Sequence, residues 1–258
     1  MFSQTSRSVS WLLLISVTIF QSLSSAIKNG HVCPIESVPY TVELIVGGQS
    51  KCGGSIVATS FVVTAASCVF RKSAWDVAIH YGSNCSMEGG KTVMARDFFF
   101  YSYDPKTYRN DIAIVRTAQT IQLDEQASRA IPLADKGFDP PKDSYVSVPG
   151  FGENGFILNR THLMCGNFKV WDRDKCKKQY PTAFIKIEEF CAGGNDGIAL
   201  GTGDAGDPAV QNDKFVGVGS YGPLDQPDPE SPSVFTRVGC FFDWIMDVIH
   251  NPDKWSHN

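Results

Sequence analysis

The chain has 258 residues, of which 43% are hydrophobic, 12% aromatic and 19% charged. That composition supplies a full apolar core and excludes an intrinsically disordered or low-complexity chain. With 23 basic against 27 acidic residues and a net charge of −4, there is no basic field for a phosphate backbone, so nucleic acid is excluded as a partner.

Residues 1–26 hold one cation, Arg7, then the apolar run Trp11 to Phe20, then the small residues Ser24, Ser25 and Ala26. The run is about half of the roughly 20 residues that a bilayer span needs. It predicts a secretion signal removed after Ala26, and no membrane anchor. Eight cysteines and two sequons, Asn84-Cys85-Ser86 and Asn159-Arg160-Thr161, agree with an oxidising extracellular location. Asn84 and Asn159 are the glycosylation candidates, with unmodified polar loops as the alternative.

From Ile27 onward, short β-rich runs alternate with Gly, Pro, Asn and Asp, at 40–46, 55–64, 93–101, 112–115, 145–148 and 216–218. Many short strands predict a sandwich or barrel. The aromatic run Phe98, Phe99, Phe100 and Tyr101, with Tyr103, reads as a strand packing alternate rings inward, and a protein-binding patch is the alternative. A mixed polar stretch at 120–142 joins two halves, 27–130 and 131–258. Phe241, Phe242, Ile245, Val248 and Ile249 recur at helical spacing and predict one C-terminal helix. His31, His80, His162, His250 and His257 read as surface or loop histidines. No His/Cys spacing suits zinc, and no EF-hand or nucleotide loop is present in the sequence, which predicts no metal and no cofactor.

Four blocks stand in a fixed order: Cys52-Gly53-Gly54-Ser55-Ile56, Thr64-Ala65-Ala66-Ser67-Cys68, Asn110-Asp111-Ile112-Ala113-Ile114 and Gly203-Asp204-Ala205-Gly206-Asp207-Pro208. With Gly150-Phe151-Gly152, Ser220-Tyr221-Gly222 and Val234-Phe235-Thr236-Arg237-Val238, they resemble the signature blocks of chymotrypsin-like serine proteases across essentially 27–250. The resemblance implies an all-β fold of two antiparallel six-stranded β-barrels with a C-terminal α-helix. The first barrel half falls in 27–130, with its N-terminal segment crossing to the second. The second half, with the helix, falls in 131–258.

By the same resemblance, Ser67, Asp111 and Ala205 hold the positions of the catalytic His, Asp and Ser. Such an enzyme needs a nucleophile, a base and a carboxylate that orients the base. Two of the three are missing here, which implies no catalysis. Gly203 and Ala205 occupy the oxyanion-hole positions, and Ile27 with Asp204 the N-terminal activation pair. No Lys or Arg precedes Ile27, so signal cleavage itself would expose that terminus. The motif Ile45-Val46-Gly47-Gly48 is a false match for it, because it falls where the family has a strand and loop. Lys28, Asn29 and Asp207 depart from the family pattern and question the order of the activation pocket. Ala199, Gly222 and Ser233 map to the specificity pocket, where no acid remains to receive a basic side chain.

The resemblance pairs Cys52 with Cys68, Cys176 with Cys191, and Cys33 with Cys165. A bridge usual beside the pocket is absent, with Gly201 at one position and no cysteine in 223–231. Cys85 and Cys240 match no family bridge: they pair with each other, link two chains or stay free. The chain looks most similar to inactivated serine-protease paralogues of parasitic mites, especially the scabies mite. That implies a monomer binding secreted host proteins, with complement components as partners. The competing readings are a regulatory cofactor of an active protease and a weak residual hydrolase.

Overall fold

The computed structural model describes residues 27–152, 162–180, 185–223 and 230–255. The first half is built from β2 (Thr41–Val46), β3 (Gln49–Ala58), β4 (Phe61–Thr64), β5 (Val77–Tyr81), β6 (Lys91–Phe100) and β7 (Ala113–Thr117), a closed barrel in the order β2-β3-β4-β7-β6-β5. The run at 55–64 is therefore a hairpin and not one strand, with its turn at Thr59 and Ser60. Gly47 and Gly48 adopt φ of 60° and 78° in the β2–β3 turn, which places the tempting Ile45-Val46-Gly47-Gly48 segment on a strand and its turn.

The second half comprises β8 (Tyr145–Gly150), β9 (Met164–Lys169), β10 (Glu189–Ala192), β11 (Pro208–Gln211), β12 (Lys214–Tyr221) and β13 (Ser233–Arg237). They join the short β1 (His31–Val32) in one seven-stranded sheet, β1-β9-β8-β11-β12-β13-β10. The chymotrypsin-like architecture expected from the sequence is thus formed, with the first barrel closed and the second half a half-barrel. Just past the end of β9, Val170 forms an isolated antiparallel bridge with Ala192 of β10. β1 pairs with β9 in the register His31 to Cys165, so the N-terminal segment is stitched onto the second half.

Apolar side chains from both halves fill the interior. Val42, Leu44, Ile56, Ile79 and Ile114 pack inside the first barrel, and Val146, Phe168, Phe190, Leu200 and Phe235 under the second sheet. The short α1 (Ala66–Val69) follows β4, and α2 (Arg173–Gln179) starts at Asp172, whose carboxylate accepts from the N–H groups of Asp174 and Lys175 at 3.1 Å. The C-terminal α3 (Phe242–His250) buries Trp244, Ile245 and Val248 against the first-barrel cluster, and the single turn α4 (Pro252–Trp255) follows it. Among the described residues no helix is long and apolar enough to cross a membrane.

Candidate functional site

Three connections converge between the two halves. α1 carries Ser67, the segment before β7 carries Asp111, and the loop before β11 carries Ala205. Asp111 is fully buried. Its Oδ1 accepts from the Ser67 N–H at 2.7 Å, and its Oδ2 accepts from Ser67 Oγ at 3.0 Å and Ser220 Oγ at 2.6 Å. Thr236 Oγ1 donates to the Asp111 carbonyl at 3.1 Å. Burial pushes the Asp111 carboxyl up to about 6, against the opposing pull of the Ser220, Ser67 and Ala66 donors. Ala205 lies beside α1: its carbonyl accepts from Gly53 N–H at 2.8 Å and sits 3.5 Å from Cys68 Sγ.

Backbone N–H groups of the loop 201–208 tie it to the Asp204 side chain and to β12. Gly201 N–H donates to Asp204 Oδ2 at 2.6 Å, and Gly206 N–H to the Gly219 carbonyl at 2.7 Å. Gly203 takes φ of 88°, a conformation that glycine adopts without steric cost. The N–H groups of Gly203 and Ala205 donate to no backbone carbonyl among the described residues.

Ile27 is fully buried in the second core, and its backbone N–H favours the charged form of Asp204. Lys28 and Ala199 form an antiparallel bridge, with Lys28 N–H on the Ala199 carbonyl at 2.8 Å. The N-terminal segment therefore packs in an ordered pocket despite Lys28, Asn29 and Asp207. At the specificity-pocket positions, Ala199 and Ser233 are buried and Ser233 Oγ accepts from Leu200 N–H at 2.9 Å. A Cβ on Gly222 would meet the Leu200 carbonyl at 2.3 Å, so Leu200 packs directly on the segment that follows β12. Tyr221 beside it holds Tyr108 and Tyr180 edge-on at 5.8 and 5.9 Å.

The bridges Cys33–Cys165, Cys52–Cys68 and Cys176–Cys191 are formed. Cys85 and Cys240 are free, with Cys85 Sγ 3.6 Å from His162 Nδ1. Asn84 is exposed, and its Oδ1 accepts from Ile35 N–H at 2.6 Å. Asn159, the leader 1–26 and His257 lie outside the described residues. Phe99 points inward as the strand reading expected, while Tyr101 is 44% exposed and leans on Phe241 and Trp244.

One histidine departs from the expectation. His80 is buried, with Nδ1 3.0 Å from Glu43 Oε2 and Nε2 2.9 Å from the Gly89 carbonyl. Glu43 also accepts from Ser86 Oγ and from Met87 N–H, the latter at 2.9 Å. Both ring nitrogens face acceptors, so the ring sits as imidazolium. Burial opposes both charges. The Glu43 bond and the Gly89 carbonyl nonetheless raise His80, and the bonds from His80, Ser50, Ser86 and Met87 lower Glu43. Among the described residues no group of three His, Cys, Asp or Glu side chains is placed to hold a metal ion.

The trypsin family model matches residues 27–245, which takes in every connection just described. The chain belongs to the trypsin family. It is similar to Trypsin Blo t 3 of Blomia tropicalis, at 34% identity over 85% of this chain and 84% of that one. Among solved structures it matches the scabies mite inactivated protease paralogue S-D1 at 39% identity and a TM-score of 0.79, covering 86% of this chain and 97% of that one. Paralogue S-I1 matches at 35% identity and a TM-score of 0.79, covering 86% and 98%. The trypsin-like scaffold of this chain thus has inactivated proteases among its structural neighbours.

Proposed function

We propose that this chain is a secreted, catalytically inactive serine protease homologue that acts as a monomer by binding other proteins, with inhibition of host complement as its activity. One observation carries the inactivity. Ala205 has a methyl group where acyl transfer needs a nucleophile, and Ser67, in the place of the base, has its hydroxyl on Asp111. A serine hydroxyl takes up no proton near neutral pH as an imidazole does. In subtilisin, losing nucleophile or base costs on the order of 10⁶ in turnover, and the backbone donors of an oxyanion hole retain only a small residue of rate.

Binding needs none of that chemistry. The exposed Tyr108 beside Tyr221, and Trp75 at 88% exposure, are aromatic side chains of the kind that anchor protein interfaces. Three disulfides and the leader composition support secretion. Complement as the target rests on the likeness to the mite paralogues, and the chemistry of the cleft does not select it. A fluorophosphonate probe is expected to leave the purified chain unlabelled, and stoichiometric label on a serine near Asp204 would overturn the inactive reading. Added to serum, the chain is expected to lower complement lysis in proportion to its binding of an early component. No effect at a saturating dose would dismiss complement.

A further inference from the structure

The three bridges leave two thiols, and the fold gives them different neighbours. Cys85 lies half-buried in the loop between β5 and β6, with its Sγ 3.6 Å from Nδ1 of the exposed His162. Backbone pairing sets that contact. Cys85 and His162 form an antiparallel bridge, and Leu163 N–H donates to the Asn84 carbonyl at 2.9 Å. The loop is pinned on either side of the thiol as well. Cys85 N–H donates to Ser83 Oγ at 3.0 Å, Ile35 N–H donates to Asn84 Oδ1 at 2.6 Å, and Ser86 Oγ and Met87 N–H donate to the buried Glu43 of β2. A nucleophile held within reach of a base is the arrangement that activates a thiol. An imidazole protonated on Nε2 presents Nδ1 as an acceptor for the thiol proton. Cys240 has no such partner. Its residue is exposed, but its thiol donates to the Ile187 carbonyl at 3.7 Å, an oxygen that takes up no proton, and desolvation there raises the thiol above its ordinary value.

We propose that Cys85 and His162 form a thiol–disulfide exchange site, at which the folded chain takes up half of a small disulfide as a mixed disulfide on Cys85. In the exchange, His162 Nδ1 takes the Cys85 proton and the freed sulfur attacks one sulfur of the disulfide RSSR. The Cys85–S–SR bond forms as the S–S bond of RSSR breaks. The departing thiolate takes the proton back from the imidazolium and leaves as RSH. Cys85 is oxidised and the departing half of RSSR is reduced, so protons and electrons balance without a further reagent. The six bridged cysteines stay out of the exchange because all of them are buried, whereas Cys85 and His162 are open to a small solute.

Cys240 serves as the reference thiol within the same chain. The purified folded protein is incubated with glutathione disulfide at about pH 7, and the site of each added glutathione is mapped by mass spectrometry over time. Cys85 is expected to react at least about tenfold faster than Cys240. His162→Ala is expected to bring the Cys85 rate down to near that of Cys240 while leaving Cys240 itself unchanged. Imidazole added to the buffer is expected to restore the Cys85 rate in that variant, a rescue that a merely structural role for His162 would not show. Equal rates at the two thiols of the wild type would overturn the proposal without recourse to any variant. An unchanged Cys85 rate in His162→Ala would overturn it too, as would a loss that imidazole does not restore. If His162→Ala does not fold, His162→Ser carries the same comparison, with the same outcomes deciding.

Discussion

Asp111 accepts from Ser67 N–H, Ser67 Oγ and Ser220 Oγ with no exposure to water. Truncating it and neutralising it therefore have different costs. Asp111→Ala strands several buried donors and is expected to cost about 3 kcal/mol in urea denaturation. Asp111→Asn keeps one acceptor and lets the hydroxyls turn toward the amide, so a loss under about 1 kcal/mol is expected. Equal losses would show that charge and not donor satisfaction holds Asp111. On the proposed reading of the cleft, the double change Ser67→His with Ala205→Ser would put an imidazole and a hydroxyl beside Asp111, yet the buried Ala199 carries no acid for a basic substrate. Its kcat/KM on arginine and lysine peptides is expected to stay far below that of an active trypsin, and turnover equal to one would refute the pocket argument. The positions of Ser67, Asp111 and Ala205 were legible because each sits inside an ordered block of unusual residues. His80 was not legible: its burial depends on Glu43, 37 residues away, brought opposite by the β2–β5 register. Nothing in the local sequence around either residue records that pairing.

Among the elements, strands with dense β-branched or aromatic character, such as β6 and β12, could be read from the sequence within a few residues. β1, β9 and β10 could not, because two to six residues of mixed polarity carry too little period-two signal and are fixed by their partners. β1 has only β9 beside it, and the Cys33–Cys165 bridge closes a separation of 132 residues at that point. Replacing both cysteines with serine is expected to cost about 4 kcal/mol and to release β1 before the barrel unfolds. Hydrogen exchange would show early loss of protection at Cys33 N–H, which now donates to the Leu163 carbonyl. Uniform loss across the first barrel would argue instead that the bridge stabilises the whole molecule. Without reductant, alkylation of the folded chain is expected at Cys85 and Cys240 alone, as the other cysteines are bridged.

Across the whole molecule, buried ionisable groups favour acid over alkaline solution. Burial raises Asp111 and Asp204 to about 6, so these two stabilise fully below 3.8 and lose that contribution as pH climbs to about 6, and Glu189, also raised by burial, acts in the same sense. His80 is raised above 6.5 by its Glu43 and Gly89 partners, so its contribution is intact below that value and is lost as pH rises through the folded value. Glu43 acts in the opposite sense: its value is held below 4.5, and its contribution disappears as pH falls beneath that. The opposing limbs place the highest unfolding temperature between about pH 4.5 and about pH 6. Differential scanning fluorimetry across pH would locate it, and a temperature that climbs steadily to about pH 8 would contradict the assignment. Replacing Glu43 and His80 together by glutamine is expected to shallow the decline above 6.5 without abolishing it, since Asp207 is raised by burial on its own account, and to leave the decline between 3.8 and about 6, because Asp111 lies in a separate hydrogen-bond network from the imidazole.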